Sequence, residues 1–129
     1  MGKSQSLGLA VLRIVIGIIF LAHGYQKLFK FGFHGVTVMF GNLHIPIPAV
    51  FAVIVTLVEF VGGILLITGL ATRIPAVLIA IDMVVAIFLV HAKRGFFNTS
   101  GGFEFPLVLL AATVCLALAG GGAASLNKL

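Results

Sequence analysis

Four stretches of the chain, at about 7–27, 49–70, 74–92 and 103–120, are built almost wholly from Leu, Ile, Val, Phe, Ala and Gly. Wound as α-helix, a run of about 20 such residues matches the hydrocarbon thickness of a lipid bilayer. In lipid every backbone N–H and C=O must find its partner inside the protein, so only helices and closed barrels cross. A barrel strand alternates apolar and polar residues, and none of the four runs does. The expected fold is therefore an all-α integral membrane four-helix bundle, a single transmembrane domain over residues 1–129.

Composition agrees. With 61% hydrophobic and 9% charged residues, a chain of 129 has too little polar surface to cover a core in water. The net charge of +5 does not point to nucleic acid. Lys3, Lys27, Lys30, Arg73, Lys93, Arg94 and Lys128 fall at the ends of apolar runs, where they meet headgroups. The lone Cys115 lies inside an apolar run and reads as a small apolar side chain. It allows neither a disulfide nor a two-thiol relay within the chain. The first run is too long for a cleavable signal peptide, carries Arg13, and is followed by equally apolar runs.

The connections differ. Residues 28–48 are too polar and broken to span, yet contain Phe29, Phe31, Phe33 and Phe40, with His34 and His44 among them. This predicts a segment lying in the interface between helices 1 and 2, with a short helix over 35–43. Pro46 and Pro48 mark the start of the second span. Ala71-Thr72-Arg73 is short enough to make spans two and three an antiparallel hairpin. Residues 93–102 form a loop with turn chemistry, and a frayed tail is expected from Gly120 onward. Four spans place both termini on one side, side A, and the two longer loops on side B. Three basic residues on side A against four on side B leave the orientation open.

An ionisable side chain within a span costs about 2.5–3.5 kcal/mol on insertion scales and asks for a reason. Glu59, Asp82 and Glu104, the only three carboxylates, all lie in or at spans, and Arg13 joins them. From the helical rise, Arg13 lies about 9 Å, Asp82 about 12 Å and Glu59 about 16 Å from side A. Matching depth suggests an Arg13–Asp82 ion pair fixing helix rotation. Gly17, Gly24 and Lys27 continue the helical stripe of Arg13, which directs it inward. Glu59 is then left over. One cation cannot neutralise two carboxylates, so one acid is expected to exchange protons near neutral pH, or else to stay neutral and bonded to backbone. Thr56, Gly62 and Gly63 share its helical face.

A second polar group collects on side B, where His23 ends span one, His91 ends span three and Glu104 begins span four. Lys27, Lys93, Arg94 and Asn98 lie nearby. Singly these suit helix ends and headgroups; together they form a polar mouth over an apolar bundle, suited to an amphipathic ligand. Asp82 and His91 are nine positions apart, on opposite faces of a regular helix, so one pocket using both needs a distortion between them. No close-spaced ligand pair supports a metal site from His23, His91 and Glu104.

Leu12-Arg13, Phe20-Leu21-Ala22-His23-Gly24 with Lys27, Glu59 with Gly62-Gly63, Gly69 with Thr72-Arg73, His91, Gly95-Phe96-Phe97 and Gly101-Gly102-Phe103-Glu104-Phe105-Pro106 together resemble the DoxX family, from about residue 9 to 118. The resemblance implies a small four-helix protein of the prokaryotic cytoplasmic (inner) membrane. Its relatives look like a subunit of a thiosulfate:quinone oxidoreductase and a membrane component of complexes handling oxidative and thiol stress. Carried over, the polar signature falls on Arg13, His23, Lys27, Glu59, His91 and Glu104; Asp82 is not matched. There is no haem-ligand pair, nucleotide fingerprint or second cysteine.

Three functions follow as expectations. In the first, the chain is a quinone-facing or proton-transferring membrane subunit of an oxidoreductase complex beside a redox protein partner. Glu59 and His23 move protons, and Lys27, His91, Asn98 and Glu104 form the mouth that holds a quinone. In the second it is a proton-coupled small-molecule carrier, which needs a homo-oligomer to enclose a path. In the third it is a structural or assembly partner with no chemistry of its own.

Overall fold

The computed structural model describes residues 2–127, so Lys128 lies outside the described part. Five α-helices make the bundle: α1 (Lys3–Tyr25), α2 (Gly32–Asn42), α3 (Pro48–Thr68), α4 (Arg73–Ala86) and α5 (Glu104–Ala119). Three helical runs are long and apolar enough to cross a membrane, Lys3–Asn42, Pro48–Thr68 and Arg73–Arg94. The fourth, α5, is apolar but shorter, at about 24 Å from its rise per residue. The all-α membrane bundle read from the sequence is the fold observed.

Most large aliphatic side chains point outward. Val11, Ile18, Ile81, Phe88 and Val108 are each more than half exposed, while Arg13 and Thr56 are fully buried. That inversion suits a lipid solvent and would be untenable in water.

Pro48 opens α3, and Gly69, in the left-handed conformation (φ 71°), closes it. Leu70 N–H then bonds Leu65 O at 3.1 Å and Gly69 N–H bonds Leu66 O at 3.3 Å, which satisfies the last carbonyls of the helix. The chain turns at once into α4, giving the expected hairpin. α3 packs against α1, α2 and α4, and α5 packs on α4 and, less extensively, on α1. A Cβ at Gly24 would overlap the backbone of Phe60, and one at Gly63 that of Leu21. The two helices therefore meet backbone to backbone. Ile16, Phe20, Leu66, Ile79, Met83, Leu109 and Leu116 fill the core between the helices.

Two departures from regular helix matter. After α1 the chain widens into a π-helical turn, Gln26–Phe31, and passes into α2 through Gly32 (φ 72°). The short helix expected at 35–43 thus starts earlier, because the π turn hands over a chain already wound. A second π turn, Ile87–His91, extends α4.

The tail is not frayed. Ala123 N–H bonds Ser6 O at 3.0 Å, Leu126 N–H bonds Thr68 O at 3.2 Å, and Ala71 N–H bonds Asn127 Oδ1 at 2.7 Å. The reason is Arg13. Its Nη1 donates to Gly121 O (2.8 Å), Ala123 O (2.9 Å) and Ser125 Oγ (2.5 Å), and its Nη2 to Ala124 O (3.1 Å). A buried guanidinium needs acceptors for its fork of donors, and the tail supplies them to both Nη atoms, while Nε meets no acceptor among the described residues.

Candidate functional site

This placement of Arg13 corrects the expected Arg13–Asp82 ion pair. Both residues lie at similar heights, but the long arginine side chain runs towards the side A end of the bundle, away from Asp82. Helical rise fixes only the height of each Cα, and the reach of the side chain overrides it. The cation paired with Glu59 is Lys27, which the sequence suggested both as a headgroup contact and as a member of the side B mouth. It leaves the π turn after α1, reaches inward, and places Nζ 2.7 Å from Glu59 Oε1. The two side chains are 16% and 5% exposed, so Glu59 is buried and Lys27 is largely, though not wholly, shielded.

Asp82, from α4, lies against the Glu59 carboxyl with Lys27 close by. Its Oδ2 is buried and meets no donor among the described residues. One ammonium thus faces two carboxyls. Ionised carboxylates only accept hydrogen bonds, so a proton is the natural bridge between two of them.

This cluster forms the inner end of a cavity of about 540 Å³. Phe20 from α1, Phe40 from α2, Phe51 from α3 and Phe105 from α5 contribute aromatic walls, with Met83, Leu89 and Leu109 among the aliphatic ones. Leu43, Ile45 and Pro46, from the link between α2 and α3, form a strap along it. His44 (φ 61°), within that strap, and Ile47 (φ 46°), just after it, lie in the left-handed region, a costly conformation for a β-branched isoleucine.

His91 lines the same cavity as Asp82. In a regular helix nine residues turn through about 900°, which leaves the two side chains opposed. The π turn at 87–91 winds by only about 80° per residue, which removes roughly a quarter turn and brings His91 round. The distortion that one shared pocket requires is present. His91 Nδ1 lies 2.7 Å from Gly101 O. A carbonyl only accepts, so Nδ1 carries the hydrogen, and in the neutral ring Nε2 keeps a lone pair. The same argument applies to His23, whose Nδ1 donates to Ile19 O at 2.8 Å. His23 is exposed and lines both the cavity and a neighbouring outer cleft with Tyr25, Gln26 and Lys30.

Asn98 reaches the cavity, but Glu104 does not line it. Glu104 Oε1 accepts the Asn98 N–H at 3.0 Å, and its own N–H donates to Phe96 O at 2.8 Å. It holds the 95–102 loop that carries Asn98 and the carbonyl partner of His91. Of the residues proposed from sequence, Lys27, Glu59, Asp82, His23, His91 and Asn98 come together; Arg13 and Glu104 serve elsewhere. Phe51, Phe105 and the strap were not foreseen. For the strap, the closely spaced Pro46 and Pro48 after an aromatic segment were the available signal.

No solved structure is significantly similar to the chain. A Bacillus subtilis (strain 168) protein named "Putative oxidoreductase CatD" is 40% identical over 120 residues, covering 93% of this chain and 84% of that protein. "Uncharacterized membrane protein Rv3486" of Mycobacterium tuberculosis is 32% identical, covering 91% and 77%. "Inner membrane protein YqjF" of Escherichia coli is 29% identical, covering 100% and 96%. The DoxX family profile matches residues 8–92, which takes in α1 to α4 with Lys27, Glu59, Asp82 and both cavity histidines, and stops before the 95–102 loop. On that match, and on a relative of near-equal length, the chain is a membrane protein belonging to the DoxX family.

Proposed function

We propose that this protein is a membrane subunit of a redox complex in the prokaryotic cytoplasmic membrane, holding a lipid-soluble ligand of quinone type and moving protons to and from it. The observation that carries this reading is the Lys27–Glu59–Asp82 cluster at the inner end of a cavity whose other walls are aromatic and aliphatic. Such a pocket, apolar with a few convergent polar groups, fits a flat ring with polar edges and an alkyl tail. A quinone supplies two-electron, two-proton chemistry when bound. The residues of this chain do the rest.

Phe20, Phe40, Phe51 and Phe105 receive the ring and tail. Lys27 has three N–H donors and uses one on Glu59, which leaves others for a head-group oxygen. The Nε2 of His91 and the side chain of Asn98 stand nearer the mouth. Glu59 and Asp82 hold a proton between them, and His23, facing both the cavity and the outer cleft, passes it to water. With a single cysteine the chain carries out no thiol relay, so any sulfur or oxidant chemistry belongs to a partner. The name of the Bacillus relative supports a redox context.

Protein purified from its own membranes tests this. About one quinone per chain should co-purify, and Glu59→Gln should bind added quinone at least tenfold more weakly. If none is extracted, and added quinone binds no tighter to wild type than to Glu59→Gln, the reading fails.

A further inference from the structure

Asp82 is the carboxyl that the Lys27 pairing leaves out. The charged groups facing it are Glu59 from α3 and Lys27 from the Gln26–Phe31 turn. His23 from α1 and His91 from the 87–91 turn line the same space, whereas α5 brings only Phe105, Pro106 and Leu109. With one ammonium against two carboxyls, the site is one positive charge short. Its surroundings cannot solvate that deficit as water would. A proton makes up the difference, and so does any cation able to enter an apolar cavity. Asp82 Oδ2, buried and without a donor among the described residues, is an acceptor open to an N–H or O–H. The aromatic walls also favour a cation over an anion.

We propose that the cavity binds lipid-soluble ammonium compounds, alkyl or arylalkyl amines in their protonated form, with the nitrogen at Asp82. The exchange balances. R–NH3⁺ enters, the O–H bond of the shared proton breaks, that proton leaves to water by way of His23, and an ammonium N–H donates to Asp82 Oδ2. The charge of the site is unchanged and nothing is oxidised or reduced. This site stands whether or not the redox reading does.

The experiment compares decylammonium with decanol, equal in chain length, on the full chain in nanodiscs of zwitterionic lipid. Binding is followed by the unfolding midpoint, and proton release by a pH indicator in weak buffer. Decylammonium should release about one proton per molecule bound, and in Asp82→Asn its affinity should fall at least tenfold with no release. Decanol should bind both proteins alike and release nothing. Should Asp82→Asn not fold, wild type alone decides the matter: ammonium affinity should rise about tenfold per pH unit while the pair still holds its proton. The proposal is overturned if decylammonium binds no better than decanol, if no proton is released, or if release persists in folded Asp82→Asn. Absence of co-purified quinone would leave it untouched, and bound quinone with no ammonium effect would sink it alone.

Discussion

Replacing Lys27 with Met keeps most of the side-chain volume and deletes the cation that faces two carboxyls, the only one to do so among the described residues. At 2.7 Å and an effective dielectric of 20, the gross attraction in the Lys27–Glu59 pair is about 6 kcal/mol. Desolvation consumes most of that, so the pair adds little net stability, but removing one partner strands the other. Stranding a buried charge costs about 3–5 kcal/mol, and Lys27→Met should lose about that much. Glu59→Gln should cost less, about 1–2 kcal/mol, because Lys27 still faces Asp82. The double variant Lys27→Met/Glu59→Gln leaves one acid, which stays neutral by holding its proton, and should lie within about 1 kcal/mol of wild type. The coupling energy from this cycle is then at least about 2 kcal/mol. Reversible unfolding in mixed micelles, with monomer content and helicity matched beforehand, gives all four free energies. Equal losses for the two single variants would mean that Asp82 does not sense Lys27. A coupling near zero would refute the buried pair altogether.

Two further outcomes are expected. Arg13→Met removes four bonds to residues 121–125, so backbone hydrogen exchange there should accelerate at least tenfold, with about 2–4 kcal/mol lost overall; unchanged protection in the tail would argue against the clamp. Inserting an alanine between Phe88 and Leu89 turns His91 by about a further 100° relative to Asp82 and so off the cavity. Ligand binding should fall at least tenfold while the unfolding cost of Lys27→Met is retained, and intact binding would mean that His91 plays no part.

Much of the architecture is legible in the residues. The four apolar runs, the hairpin at 71–73 and the close approach through Gly24 and Gly63 follow from length, turn chemistry and small side chains. The site is legible as an inventory, since rare polar groups in apolar runs identify themselves. Their pairing is not. Arg13 and Lys27 each have a side chain of several ångströms whose direction depends on neutral acceptors far away in sequence, and backbone carbonyls of a glycine-rich tail carry no residue-type signal. The π turns are hidden for a similar reason. No residue type demands them, and they arise where packing favours one more residue per turn. The requirement that Asp82 and His91 share a pocket only through a distortion was nonetheless visible from spacing alone.

The grip of Arg13 on the tail has a consequence for biogenesis. During synthesis the guanidinium enters the bilayer with the first helix, and its acceptors lie 108 to 112 residues downstream. Until those carbonyls emerge, the first helix carries a naked cation that membranes tolerate poorly. A chain stopped early never hides it. The tail carbonyls thus finish what the first helix leaves open, and a chain cut before residue 121 would keep that charge uncovered.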